Sequence, residues 1–193
     1  MNSDFATLEP DTSAHQHRSR LLEGMAVAMA QKGYGDTTIA DVVREASVSR
    51  RTFYEHFPTK ADCLVALYEA ASHNALKVLR QEIDPARNWE EQLEHALHAY
   101  LGAMASNPAL MRTLFIEILH LGPEGLAARR RVNQEIADYM VAVVRDVTPD
   151  LAMAVVGGIH ELVLQAIEDG KVDELPRLTS TATALVKAVA HRG

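Results

Sequence analysis

An all-α chain of nine helices is the expected fold, on three grounds. The 193 residues are 48% hydrophobic yet only 5% aromatic and rich in alanine, the composition of helix bundles. Apolar residues recur at helical spacing through most of the length, and no segment has the alternation of a strand. Helix punctuation is dense. Asn107-Pro108 and Thr148-Pro149 are cap-proline starts, and Gly33, Gly122 and Gly170 are stops.

Residues 1–12 are polar and acidic, unlike a signal peptide, and are expected to form a disordered arm. A first helix follows over about 13–32, with Leu22, Met25, Ala26 and Met29 inward and Gly33 ending it. The next starts at Thr38, whose hydroxyl caps the first turn while Asp41 completes a weak capping box. Ile39, Val42, Val43 and Ala46 share one face of it, and small Ala40 and Ala46 admit a close helix crossing. After a turn at Ser47-Val48, Ser49 caps a third helix. Val48 can staple onto Phe53, and Phe53 and Phe57 form its buried pair.

A fourth helix begins at Thr59, with Asp62 three residues on, and runs to about residue 83, before Pro85. Asn88 with Glu91 opens the fifth, through about 105. The sixth spans 107–122, the seventh 123–147, the eighth 148–170 and the ninth 176–191.

Helices two and three, over residues 36–63, form a helix-turn-helix, a shape that places one helix in the DNA major groove. Arg51, Thr52, Tyr54 and Glu55 point away from Phe53, and Arg50 stands at the helix tip. Arginine forks onto guanine or phosphate, a threonine methyl meets a thymine methyl, and Tyr54 and His56 can bond phosphate oxygens. Lys60 is disfavoured by the dipole at a helix start, so its presence there hints at a partner anion.

Residues 20–68 resemble the DNA-binding domain of the tetracycline-repressor (TetR) family of bacterial regulators. Gly33-Tyr34, Thr37-Thr38, Ile39-Ala40, Val42, Ala46, Val48-Ser49, Thr52-Phe53-Tyr54, His56-Phe57 and Lys60 carry the resemblance, and the block VSRRTFYEHFPTK is its most specific part. The resemblance implies base contacts from Arg50, Arg51 and Thr52. It implies backbone contacts from Thr38, Tyr54, His56 and Lys60, with Ser49 at the head of the reading helix. It also implies the nine-helix TetR architecture, with a helix-turn-helix domain at 13–62 and an effector-binding and dimerisation domain at 63–193. Ser47 departs from the family, which has glycine there; it must take a less favoured backbone angle or shift the turn.

Charge bears on partners. The net charge is −7. Residues 1–13 carry −3, residues 14–62 carry +1 and residues 63–193 carry −5. The reading segment is the least acidic part but no basic patch, so modest non-specific affinity and reliance on dimer contacts are expected. An unbroken apolar run long enough to span a membrane is not present, so none is expected. The single cysteine, Cys63, forbids an intrachain disulfide and suits a reducing, cytoplasmic compartment. In the first turn of a helix Cys63 is either a dipole-activated thiolate or a small buried residue.

In the body, Leu151, Val155, Gly158, Ile159, Leu162, Val163 and Ala166, with Leu178, Ala182, Leu185, Val186 and Val189 of the last helix, are expected to build a two-fold, four-helix dimer interface. The middle helices should hold an effector pocket among Trp89, His95, Tyr100, Met104, Met111, Phe115, His120 and Tyr139. His95 and His98 are one turn apart but lack further ligands, so no metal and no cofactor are expected. Arg129-Arg130-Arg131 reads as a solvated helix face. Phosphate-loop, nucleophile-elbow and metal motifs are lacking, so an enzyme is not expected.

The expected function is a homodimeric transcriptional repressor in the bacterial cytoplasm, bound at the nucleoid to a palindromic double-stranded operator. A small lipophilic effector would release it. The alternative is a helical ligand-binding or protein-interaction module that does not regulate transcription.

Overall fold

The computed structural model describes residues 10–81 and 88–190. Among these, nine α-helices and two 3-10 helices account for the regular structure, with no strand. The chain divides into two compact units, through Leu67 and from Tyr68 onward. The division falls within one helix, five residues beyond the boundary expected at 62.

The first unit holds α1 (Pro10–Asp36), α2 (Ile39–Ala46), α3 (Arg50–His56) and the start of α4 (Lys60–Gln81). Helix α1 is broken where the sequence asks for it, at Gly33 (φ 75°, ψ 168°). Its start at Pro10 takes residues 10–12 out of the expected arm. The rest of that arm, residues 1–9, lies outside the described residues, as do Ile83, Pro85 and His191. Leu21, Met25, Val42, Phe53, Cys63 and Leu64 are fully buried and form the core of this unit. At the α1–α2 crossing the close approach is made by Gly24 against Val42 and Ala46. Ala40, expected at such a crossing, is exposed.

The second unit contains the rest of α4, then α5 (Trp89–Ala105), α6 (Pro108–Phe115), α7 (Pro123–Val143), α8 (Pro149–Glu168) and α9 (Thr179–Ala190). Asn88, Asn107 and Thr148 cap α5, α6 and α8 through their side chains, and Pro108 and Pro149 occupy the first turns, as read from the sequence. Three boundaries differ. Helix α6 stops at Phe115 and a 3-10 helix, Glu117–Leu121, continues to Gly122; the tighter coil brings the Ile118 carbonyl against Gly125 of α7, where a side chain would not fit. Helix α7 ends at Val143, because Val144 turns to an extended angle and both Val144 and Val147 are buried. Pro176 lies inside a second 3-10 helix, Val172–Leu178, and α9 begins only at Thr179.

The core of the second unit gathers Leu97 of α5, Ala137 and Met140 of α7, Val155, Val156 and Ile159 of α8, and Ala182 and Val186 of α9. By length and mean hydropathy (1.4) α8 could cross a membrane, although no unbroken apolar run predicts it. Within the described structure 39% of that stretch is buried, and Val155, Ile159 and Val163 pack into the core.

Candidate functional site

Thr38 and Asp41 lock the entrance to the helix-turn-helix. The Asp41 N–H donates to Thr38 Oγ1 at 3.2 Å, and Asp41 Oδ2 accepts from the Thr38 N–H at 3.0 Å, a full reciprocal capping box. Asp41 also accepts from Lys32 Nζ at 2.8 Å and from Arg44 at 3.0 Å. The Lys32 ammonium, then the Thr38 donors and Arg44, hold the Asp41 carboxyl well below the usual carboxylate range.

The turn that follows is a Schellman motif. Ser47 takes the left-handed conformation (φ 51°, ψ 46°). Its N–H donates to Arg44 O at 3.1 Å, and the Val48 N–H donates to Val43 O at 3.0 Å. The Ser47 carbonyl accepts from the Arg20 guanidinium at 2.8 Å, tying α1 to the turn.

Helix α3 is two-faced. Phe53 and Phe57 are buried, with ring centroids 5.8 Å apart. Ser49 Oγ accepts from the Thr52 N–H at 3.0 Å and lies 2.8 Å from the Thr52 hydroxyl, so both are held at the helix start. Arg50 is exposed, the Arg51 side chain is 90% exposed, and Tyr54 is 52% exposed. Arg51 Nε donates to Glu55 at 3.0 Å on this open face, a contact worth little in water. His56 is half-buried, its ring 6.4 Å from that of His17.

Lys60 has a different engagement from the one its position suggested. Its ammonium donates to Tyr34 O and Thr37 O, both at 2.7 Å, and lies 4.1 Å from the centre of the Tyr34 ring. Burial lowers its pKa. Two carbonyls and a ring face within the unit thus engage this ammonium. Arg18 lies over Phe57 at 5.6 Å, so most cations of this segment hold the head together and α3 presents the outward ones. Cys63 is fully buried and its thiol is pushed up to about 12, which removes the thiolate reading.

The residues expected to form one effector pocket fall in different places. Trp89 and Tyr139 line an apolar cavity of about 140 Å³ in the core of the second unit. Its walls include Leu79, Ala96, Leu97, Met140 and Val156, which look like ordinary core in the sequence and carried no earlier signal. Val155, Ile159 and Val186, assigned above to a dimer face, line this cavity, and Val163 and Ala182 are also buried within the chain. The helix period has one stripe facing in, so these five cannot face a partner. Leu151, Gly158, Leu162, Ala166, Leu178, Leu185 and Val189 keep partial exposure.

Tyr100 and Phe115 meet elsewhere, at His160. The Tyr100 hydroxyl lies 3.4 Å from His160 Nε2, Asn133 Oδ1 lies 3.1 Å from His160 Nδ1, and Phe115 packs edge-on at 5.4 Å. Burial, then Arg129, lowers the His160 pKa to about 4, so the imidazole is neutral. With Asn133 accepting, Nδ1 carries the proton and Nε2 accepts from Tyr100. Met104 and Met111 are buried outside the cavity's lining. His95 and His98 border an open surface groove, and His120 is exposed beside Glu117 at 3.2 Å. Among the described residues no group of three or more His, Cys, Asp or Glu could hold a metal. Arg131 is exposed and pairs with Glu69 at 2.6 Å.

A buried-and-capped helix-turn-helix in one unit and a helical body with an apolar pocket in the other are the parts of a helix-turn-helix regulator. Residues 21–67 match the family model described as bacterial regulatory proteins, tetR family. It is 27% identical over 61% of its length to the nucleoid occlusion factor SlmA of Vibrio campbellii, covering 59% of that protein. It is 19% identical over 63% of its length to the fatty acid metabolism regulator protein of Bacillus subtilis, covering 61% of it. The matches thus span about three-fifths of these relatives. Among solved structures, the fatty acid degradation regulator FadR from Bacillus halodurans superposes with a TM-score of 0.74 at 16% identity, over 91% of this chain and 97% of that one. FadR from Bacillus subtilis, in complex with stearoyl-CoA, gives 0.68 at 17% identity, over 90% and 99%. At these identities the structures share the fold.

Proposed function

We propose that this chain is a homodimeric, sequence-specific DNA-binding regulator whose second unit takes a small lipophilic effector that releases it from a palindromic operator. The carrying observation is the two-faced α3: Phe53 and Phe57 anchor it while Arg50, Arg51 and Tyr54 stand exposed. In this reading Arg50, Arg51 and Thr52 read bases, and Thr38, Ser49, Tyr54 and His56 serve the backbone. The Lys60 ammonium positions the reading head and offers its remaining donor capacity to phosphate. Residues 13–62 form the reading head and residues 63–193 the effector and dimerisation body.

Release requires that the effector bind one state better than the other, with a coupling of about 1–3 kcal/mol typical of such switches. Helix α4 is the element suited to carry it. Lys60 at its start grips Tyr34 and Thr37, and Leu79 near its end lines the cavity.

The test is selection of duplexes from a random DNA pool by the purified protein. An enriched palindrome supports the reading and supplies the probe for release by ligands. Failure to enrich any sequence, from folded dimer, would overturn it in favour of a helical interaction module. The match to a nucleoid occlusion factor favours a second reading, a DNA-bound protein acting other than on transcription. Dispersed genomic occupancy unrelated to promoters would distinguish it from a repressor.

A further inference from the structure

We infer that the cavity in the second unit is shaped for a compact, uncharged apolar molecule of single-ring size, and not for a long acyl chain. The inference rests on the effector reading above and specifies its ligand. Three observations carry it. The first is volume: about 140 Å³. An engineered apolar cavity of roughly this size, about 150 Å³, stays dry and takes up benzene. A stearoyl chain, present in the solved Bacillus subtilis relative, is several times larger than one ring.

The second is lining. Trp89, Gln92 and Tyr139 supply the polar side-chain atoms of the wall, and the described lining contains no charged residue. A carboxylate or phosphate inside would lose its hydration without a counter-charge, so the occupant's body must be neutral. The nearby Arg80 lies over the Tyr139 ring, 5.1 Å from its centre, and 4.0 Å from Glu135. Neither Arg80 nor its partner Glu135 is among the lining residues.

The third is rigidity. The cavity's walls on α5, α7 and α8 (Ala96 and Leu97, Ile136, Ile159) sit within about one helical turn of Tyr100, Asn133 and His160. Those three side chains bond the same helices together beside the cavity. Spreading the helices to admit a long chain would break hydrogen bonds to the buried His160. A single ring needs no spreading. At the cavity rim Trp89 is 36% exposed and Val143 is 45% exposed, which gives a flat apolar ligand its entry.

Trp89 is the single tryptophan, so its fluorescence reports the cavity directly. The experiment titrates the intact protein with toluene, cyclohexanol, decanoate and stearoyl-CoA, following Trp89 emission and the thermal midpoint. Near-saturating toluene or cyclohexanol is expected to change the emission and raise the midpoint by about 3 °C or more. Decanoate and stearoyl-CoA should do neither. Ala96→Leu, which fills the space, should weaken the toluene response at least tenfold. Ala96→Val gives a graded version if the larger side chain disturbs folding.

Response to stearoyl-CoA but not to toluene overturns the inference, as does an undiminished toluene response in both filled variants. The regulator reading is scored separately, by operator selection. A toluene response without operator binding keeps the cavity assignment and sinks the regulator. Operator binding without a toluene response does the reverse.

Discussion

At the level of single residues, the proposed DNA reading divides the cations of the first unit into those that would read and those that hold. Arg50 and Arg51 project from α3, while Arg18, Arg20, Lys32 and Lys60 are engaged within the head. Each good bidentate base contact is worth about 1–3 kcal/mol. Arg50→Ala or Arg51→Ala should therefore weaken operator binding by about tenfold to a hundredfold and relax specificity at the matching base. Unchanged affinity and base preference by equilibrium binding in both variants would mean that α3 is not the reading helix. His160 supplies a second expectation, about pH. Its native pKa of about 4 lies below its ordinary 6.5. Between these values the unfolded chain binds a proton that the native chain refuses. Stability is thus complete above 6.5, falls as pH drops towards about 4, and levels off below. The loss is about 3 kcal/mol. Thermal melts from pH 7.5 to 4.5 check it, and His160→Gln should flatten that slope; an equally steep slope in the variant would place its origin elsewhere.

At the level of elements, what was legible in the sequence follows from how local the determinant is. The caps Thr38, Ser49, Asn88, Asn107 and Thr148 act within three residues of themselves, and each helix start they mark is present. Gly33 and Ser47 are equally local, and Ser47 resolved its two options by taking the left-handed angle. The ends of α6 and α7 were not legible, because packing of Gly125 on Ile118 and burial of Val144 decide them. Nor was the cavity: Leu79, Ala96 and Val156 differ from ordinary core only by where three helices bring them. Ser47→Gly tests the turn. It removes about 1–2 kcal/mol of left-handed strain and adds about 0.4–1 kcal/mol of unfolded-state entropy. The net is a stabilisation of about 0.5–1 kcal/mol, seen as a midpoint raised by about 2 °C; a lowered midpoint would mean that the serine side chain is needed. Gly24→Ala tests the crossing. A Cβ there meets Val42 O at 2.7 Å and Ala46 N at 2.8 Å, both backbone, so α1 must retreat from α2. The expected cost is about 1–3 kcal/mol, read by denaturant unfolding, with operator affinity falling alongside.

At the level of the whole molecule, a two-fold partner answers a problem that one chain leaves open. Helix α8 has a mean hydropathy of 1.4, and Ala152, Val155, Val156, Ile159, His160, Val163 and Ile167 are buried in the chain, while small and apolar residues remain uncovered beside the exposed Glu161 and Gln165. Ala154 is exposed, and Gly157, Gly158 and Leu162 are only partly covered. On α9 the exposed positions Ser180, Thr181, Ala184 and Ala188 are all small and uncharged. Two such helices from each of two copies can approach closely into a four-helix bundle, and small faces suit that approach. A dimer of this kind would set two reading helices about 34–36 Å apart, one turn of DNA. It also answers the weak positive charge of a single head, since joining two weak sites raises overall affinity by about 10²–10⁴. Ala154→Arg is the informative variant, because the side chain is exposed in one chain and a long charged side chain there would obstruct the proposed close approach of two α8 helices. It should leave the monomer folded by circular dichroism and shift sedimentation to the monomer. Affinity for the full palindrome should drop by about a hundredfold or more, while affinity for an isolated half-site stays the same. A variant that remains dimeric with full palindrome affinity would place the contact between copies on another face, and α8 would then owe its hydropathy to the core alone.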